Sequence, residues 1–300
     1  MATMSFYLFV AGGLSLLFAF ALHVTHATIL AAARAVPTPP RLAGAGAHGG
    51  SITVSDGRRP GDMAGSFALA GTWLAAILLG SSMVLRSIIV WRGPWGNMFE
   101  FSVAFAFGIV VGYLFLDRRY PIRGLGFLPL GAALFLVGYA ATLPSEILPL
   151  VPALDNAPLL TIHVAMAMIS YGIFATAFGA AVAYLAQGPN DRYAWLPSHK
   201  VLDEVAHRAV IIGFPVFATM IILGSWWASI AWGRYWGWDP KETSSLVTWL
   251  IYAVYLHART ARGWAGRPAA LMLVIGFAAV MFTFFGNLYF SGLHAYSGLN

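Results

Sequence analysis

Eight stretches of this chain, near residues 6–33, 67–91, 98–116, 124–143, 159–187, 209–230, 243–261 and 269–290, are long, apolar and almost free of charge. Each approaches or exceeds the roughly 20 apolar residues that carry an α-helix across the hydrocarbon layer of a bilayer. Inside that layer no water satisfies backbone N–H and C=O groups, so a spanning segment is either helical or part of a closed barrel. These runs do not alternate apolar with polar residues, which selects helices. The expected fold is all-α: a polytopic membrane protein with about eight transmembrane helices. With 59% hydrophobic and 9% charged residues, the composition excludes a water-soluble globule.

Basic residues set the expected orientation. With the N-terminus on the extracytoplasmic side, the inner connections hold Arg34, Arg41, Arg58, Arg59, Arg118, Arg119, Arg123, Arg192, Lys200, Arg208, Arg259, Arg262 and Arg267, which is 13 of the 17 Lys and Arg. Only Arg92, Arg234 and Lys241 fall outside, and Arg86 lies within a span. This is the asymmetry of the positive-inside rule. The net charge of +6 is thereby a topology signal and gives no reason to expect nucleic acid. The first apolar run follows no basic residue and is too long for a cleavable signal core, so the first span is expected to remain. The chain has no Cys, which excludes disulfides, a thiol nucleophile and zinc–thiolate sites; any thiol chemistry belongs to a partner.

Residues 35–62, rich in Gly, Pro, Ala and Arg, read as a flexible cytoplasmic loop with a solvated His48. The chain divides into residues 1–66, the first helix with this loop, and a membrane domain over 67–300. The stretch "SHKVLDEVAHR", 198–208, has an N-cap candidate in Ser198 and reads as a short surface helix, with His199 and His207 facing water. Residues 144–158, with four Pro and only acidic charge, cannot span.

Chemistry concentrates on the outer side. His163 lies about one turn into the fifth span, and His294 lies just past the eighth. Between them in sequence falls "AWGRYWGWDPKETSSLVTWLIYAVYLHAR", 231–259. Five of the eleven Trp, namely Trp226, Trp227, Trp232, Trp236 and Trp238, occur within 13 positions, and Trp232 and Trp236 have the i, i+4 spacing of one helix face. An interfacial aromatic belt is the plain reading. Their density beside "DPKE" also suits a large flat ligand with an acidic edge: indoles cover its face while Arg234 or Lys241 meets its carboxylates. Haem is such a ligand, and two imidazoles from opposite sides make its iron six-coordinate.

His257 and His23 sit within spans, where an ionisable group is costly and marks a candidate site. His257 lies 14 residues beyond Thr243 and His23 17 beyond Phe6, about 21 and 26 Å deep at about 1.5 Å per residue. Their similar depth allows a second haem toward the inner face, with His26 competing for the role of His23. Arg86 is either a snorkelling side chain or a haem propionate partner. Asn97, Glu100 and Asp239 are expected to order the outer loops. Glu242 reads as structural rather than as a general base, and no residue is assigned a catalytic role.

"WGRYWGWDPKETSSLVTWLIYAVYLHAR" closely resembles the tryptophan-rich WWD signature of CcsA-type cytochrome c biogenesis proteins, which are ResC-like and are called CcsB in some lineages. They fall within a haem-handling group that includes CcmC and CcmF. "GPWGNMFEFSVAF", "HVAMAMISYGIF" and "FFGNLYFSGLHAY" extend the likeness over the chain from about residue 67, with the WWD loop at 226–242. The resemblance implies the haem-transporting subunit of a two-component (system II) cytochrome c synthase, or haem lyase, in the plasma membrane. It implies haem b held by His163 and His294 beneath the loop, and an inner haem site at His257 whose second histidine belongs to a partner, which leaves His23 open. The implied partners are a ResB-type subunit with a large extracytoplasmic domain, the CxxCH segment of apocytochrome c, and thiol-reducing proteins. Rival readings are a CcmC-type haem-delivery protein without synthase activity, and a transporter whose intramembrane histidines relay protons.

Overall fold

A computed structural model describes residues 1–35, 61–120, 122–147, 157–188, 191–193, 195–286, 289–290 and 292–294. Its regular elements are α1 (Ala2–Ala35), α2 (Asp62–Val90), α3 (Met98–Asp117), a 3-10 turn (Arg123–Leu125), α4 (Phe127–Ala141), α5 (Ala157–Gln187), α6 (His199–Trp232), α7 (Pro240–Arg262) and α8 (Arg267–Phe285). No strand occurs among the described residues, and each of the eight apolar stretches contains one helix. The chain is an all-α polytopic membrane protein.

Six of the eight helices are long and apolar enough to cross a membrane. The two exceptions have different causes. α4 has 15 residues, about 22 Å at 1.5 Å per residue, which is short of the ~30 Å hydrocarbon layer. α7 is long enough but carries Lys241, Glu242, Arg259 and Arg262 at its ends and Ser or Thr on its first turns. The Gly- and Pro-rich loop, with His48, lies almost wholly outside the described residues.

α3 is the central helix. It packs on α2, α4 and α5, while α1 packs along α2 and on α4. α5, α6, α7 and α8 close into a ring, each touching the next. The α3–α5 crossing is backbone on backbone: a Cβ on Gly172 would stand 2.1 Å from the Gly108 carbonyl oxygen, and one on Gly108 2.5 Å from that of Met168. No side chain fits there. The adjoining core is aromatic, with the Phe105 ring 5.3 Å from Tyr171 and 5.0 Å from Phe284.

The expected short surface helix is instead the start of α6, which runs unbroken from His199 to Trp232, and the Ser198 side chain makes no cap hydrogen bond. The helix continues past residue 208 with Pro215 inside it, so polar and apolar parts form one element. Nor do its histidines simply face water. His199 Nδ1 lies 2.7 Å from the Asp191 carboxylate, and His207 packs its ring on Tyr255. Beside them, Arg259 of α7 grips Asp203 of α6 through both guanidinium nitrogens, with Nη1 2.8 Å from Oδ1.

Candidate functional site

The start of α5, the end of α6, the start of α7 and the chain after α8 meet at one end of the bundle. α6 stops at Trp232 because Gly233 adopts a left-handed conformation (φ 69°) there. α7 starts at a capping box: the Asp239 carboxylate accepts from Lys241 N at 3.0 Å, Glu242 Oε2 accepts from Asp239 N at 3.1 Å, and Pro240 takes the first helical position. Glu242 Oε2 also accepts from Gly237 N at 2.8 Å, which fixes the loop between α6 and α7. Asp239 and Glu242 thus have the ordering role expected of them.

A cavity opens beneath this loop, with about 100 Å³ of enclosed space that widens to about 1060 Å³ once the open mouth and its solvent are counted. His163 and His294 both line it. Met98, Phe101, Val164, Met168 and Phe284 form its apolar walls, and Trp227, Trp236, Lys241 and Glu242 border it from the loop side. The indole of Trp227 lies near-parallel to the His163 ring (10°, centroids 6.5 Å apart) and 5.8 Å from the His294 ring. Trp232 meets His294 edge-on at 4.8 Å. The two histidines of the outer motifs therefore come together around one buried tryptophan.

Each imidazole has its orientation set from behind. His163 Nδ1 donates to the Met220 carbonyl of α6 at 2.9 Å, and His294 Nδ1 donates to Asp239 Oδ2 at 2.7 Å. Both contacts place the proton of a neutral ring on Nδ1 and its lone pair on Nε2, the arrangement seen behind metal-binding histidines. Burial lowers the His294 pKa below its usual 6.5, outweighing the opposite pull of Asp239, so the ring is neutral at pH 7. Burial alone pushes the Asp239 carboxyl up. Hydrogen bonds from His294, Lys241 N and Leu293 N outweigh it and hold Asp239 below its usual 3.8. The site therefore offers neutral imidazole backed by carboxylate on one side and by a carbonyl on the other.

Not every expected site residue faces the cavity, and some reach it differently than expected. Trp232 and Trp236 share no helix face, since the helix ends between them, and Trp236 pairs instead with Trp238 at 5.9 Å. Trp226 and Trp238 are exposed, at 55% and 69%. Arg234 is also exposed, so Lys241, with Nζ 5.3 Å from the Phe101 centroid, is the cation at the cavity. Arg86 neither snorkels nor reaches the cavity. It is buried, its Nε 2.9 Å from Glu100 Oε1 and its Nη2 2.9 Å from the Ser145 carbonyl. Glu100 also takes Arg92 and Gly96 N, and the Asn97 side chain caps α3, so both order the loop before that helix.

His23 and His257 are not brought together. His23 is fully buried between α1 and α2, its Nδ1 donating to the Arg123 carbonyl and its Nε2 meeting the Thr72 hydroxyl, each at 3.2 Å. Its neighbour His26 donates Nδ1 to the Gly61 carbonyl at 2.9 Å. His257 sits on the exposed face of α7, a helix that packs on α6 and α8. Equal depth did not mean a shared site. What sequence reading missed is the backing of His163: the Met220 carbonyl and Gly224, where a Cβ would stand 2.6 Å from His163 Cε1. The one signal was a glycine inside an otherwise helical apolar run.

Residues 95–294 match the family described as cytochrome C assembly protein. A cytochrome c biogenesis protein CcsA from Guillardia theta is 32% identical over 256 residues, covering 76% of this chain and 85% of that one. The CcsA of Synechococcus sp. strain CC9902 is 32% identical over 279 residues, covering 81% and 89%. That of Parasynechococcus marenigrum strain WH8102 is 33% identical over 258 residues, covering 74% and 84%. The matched segment takes in the end of the loop before α3, every wall of the cavity and both of its histidines, and the chain belongs to the cytochrome c assembly family, among the CcsA-type cytochrome c biogenesis proteins.

Proposed function

We propose that this protein carries haem b across the plasma membrane and presents it, on the extracytoplasmic side, to the CxxCH segment of an unfolded c-type cytochrome. Thioether attachment is then shared with a ResB-type partner subunit, and thiol-reducing proteins keep the cytochrome's cysteines ready. One observation carries the reading: His163 and His294, from distant parts of the chain, line a single aromatic-walled cavity with each Nδ1 already committed. A porphyrin brings its own ring of nitrogens, so two imidazoles complete its iron. Among the described residues no three His, Cys, Asp or Glu gather as they would around a bare metal ion.

Lys241 is the group to meet a propionate, and the apolar walls cover the macrocycle and exclude water. The chain's work is placement, turning an encounter between haem and peptide into a positioned reaction. The absence of Cys keeps the haem vinyl groups for the cytochrome's thiols. His257, on the outward face of α7, suits an inner haem whose second ligand comes from the partner subunit.

The test is a pyridine haemochrome spectrum of detergent-purified protein. Wild type is expected to hold haem, and the His163→Gly/His294→Gly double variant to lose most of it. Unchanged haem content in the double variant would overturn the outer site.

A further inference from the structure

We infer that the two axial imidazoles are unequal by construction: His294 is the retained ligand, and His163 is the one that gives way to the substrate's own histidine. This rests on the reading above that both bind haem iron. The inequality lies in what stands behind each ring. His294 donates to an ionised, buried carboxylate at 2.7 Å, whereas His163 donates to a neutral backbone carbonyl at 2.9 Å. A carboxylate behind an imidazole raises its strength as a ligand, and hydrogen bonds to ionised groups are roughly twice as strong as those between neutral ones.

The carboxylate is itself held. Asp239 Oδ2 also accepts from Lys241 N at 3.0 Å and Oδ1 from Leu293 N at 2.6 Å, so loop, helix start and tail fix it together. A Cβ on Gly292 would stand 2.3 Å from Oδ1, so only a glycine lets the tail approach the carboxylate this closely. The Met220 oxygen, by contrast, lies inside α6, where helix geometry already commits it to Gly224 N–H. Each ring thus shares its acceptor atom with a backbone N–H, and the difference is that the one behind His294 is a carboxylate fixed by three donors. Asp239 is a positioning residue. In the exchange, the Nε2–iron bond of His163 breaks as the incoming imidazole forms its own. No electron is transferred and no proton is needed.

The probe is a CxxCH peptide with both Cys replaced by Ser, added to haem-loaded full-length protein carrying His163→Gly or His294→Gly. Conversion to a six-coordinate low-spin spectrum is expected in His163→Gly at about tenfold less peptide, or lower still, than in His294→Gly. Equal or reversed sensitivity would overturn the inference. In Asp239→Asn the midpoint potential of the haem is expected to rise while the spectrum stays low-spin, and an unchanged potential would count against the proposal. If that variant does not fold, Asp239→Glu and the peptide comparison decide. Haem missing from wild type removes the haem reading itself, whereas bound haem with the reversed peptide order removes only this inference.

Discussion

Asp239 joins three parts of the chain: the loop after α6, the first turn of α7 and the tail that carries His294. Asp239→Ala removes a helix cap, a loss of about 1 kcal/mol by itself, and also strips the Leu293 amide and the His294 ring of their acceptor. A lower apparent Tm in detergent and haem loss exceeding that of Trp226→Ala are expected. pH acts on the same junction. Because the folded pKa of His294 is lowered, the stability from its neutral ring is full above 6.5 and is lost as the pH falls below that value. Hydrogen exchange at the Leu293 amide of haem-free protein, corrected for intrinsic rate, is expected to quicken below pH 6.5. On the facing wall, Gly224→Ala pushes a methyl group into His163 and is expected to cut haem retention about tenfold with helix content unchanged by circular dichroism. Asp239, Glu242, Asn97 and Glu100 were legible because capping residues have a sequence pattern. The Met220 carbonyl was not, since a backbone acceptor has no letter of its own. Arg86 was misread because its partner Glu100 lies across a loop that spacing does not fold.

Helices were the most readable scale, since apolar length fixes where a span runs. Their contacts were less so. Hydropathy gave α3 and α5 as two ordinary spans, but nothing in it announced that Gly108 and Gly172 meet with no space for a side chain. Gly172→Ala is expected to destabilise the bundle by about 1–3 kcal/mol or more, read as a lower yield of monodisperse protein on size exclusion. Gly138→Ala, where an added Cβ meets nothing within 4 Å, serves as the matched control. The end of α6 shows the opposite case. Trp232 and Trp236 fit one helix face on paper, but Gly233 lies between them, and a glycine able to take positive φ overrides a favourable i, i+4 spacing.

For the whole molecule, counting residues measures depth and leaves angle open. That is why His23 and His257 passed as a pair: residue counts put them at similar depth, but they sit on helices not packed against each other. His163 and His294 do line one cavity, because loops converge at the end of a bundle whatever the angles. The orientation expected from Arg and Lys can be tested cleanly, because a chain without Cys accepts a single reporter thiol. In intact cells Arg234→Cys is expected to react with a membrane-impermeant maleimide, and Arg262→Cys only after permeabilisation. Reactivity of both without permeabilisation would refute the arrangement.

His294 follows α8, so the ribosome delivers this imidazole only after every helix of the bundle has been made. Until then the nascent chain has one imidazole at the cavity and no tail to pin. On the proposed reading, capture of haem is thus deferred until α8 has been made, and a chain stalled before that helix carries half a grip.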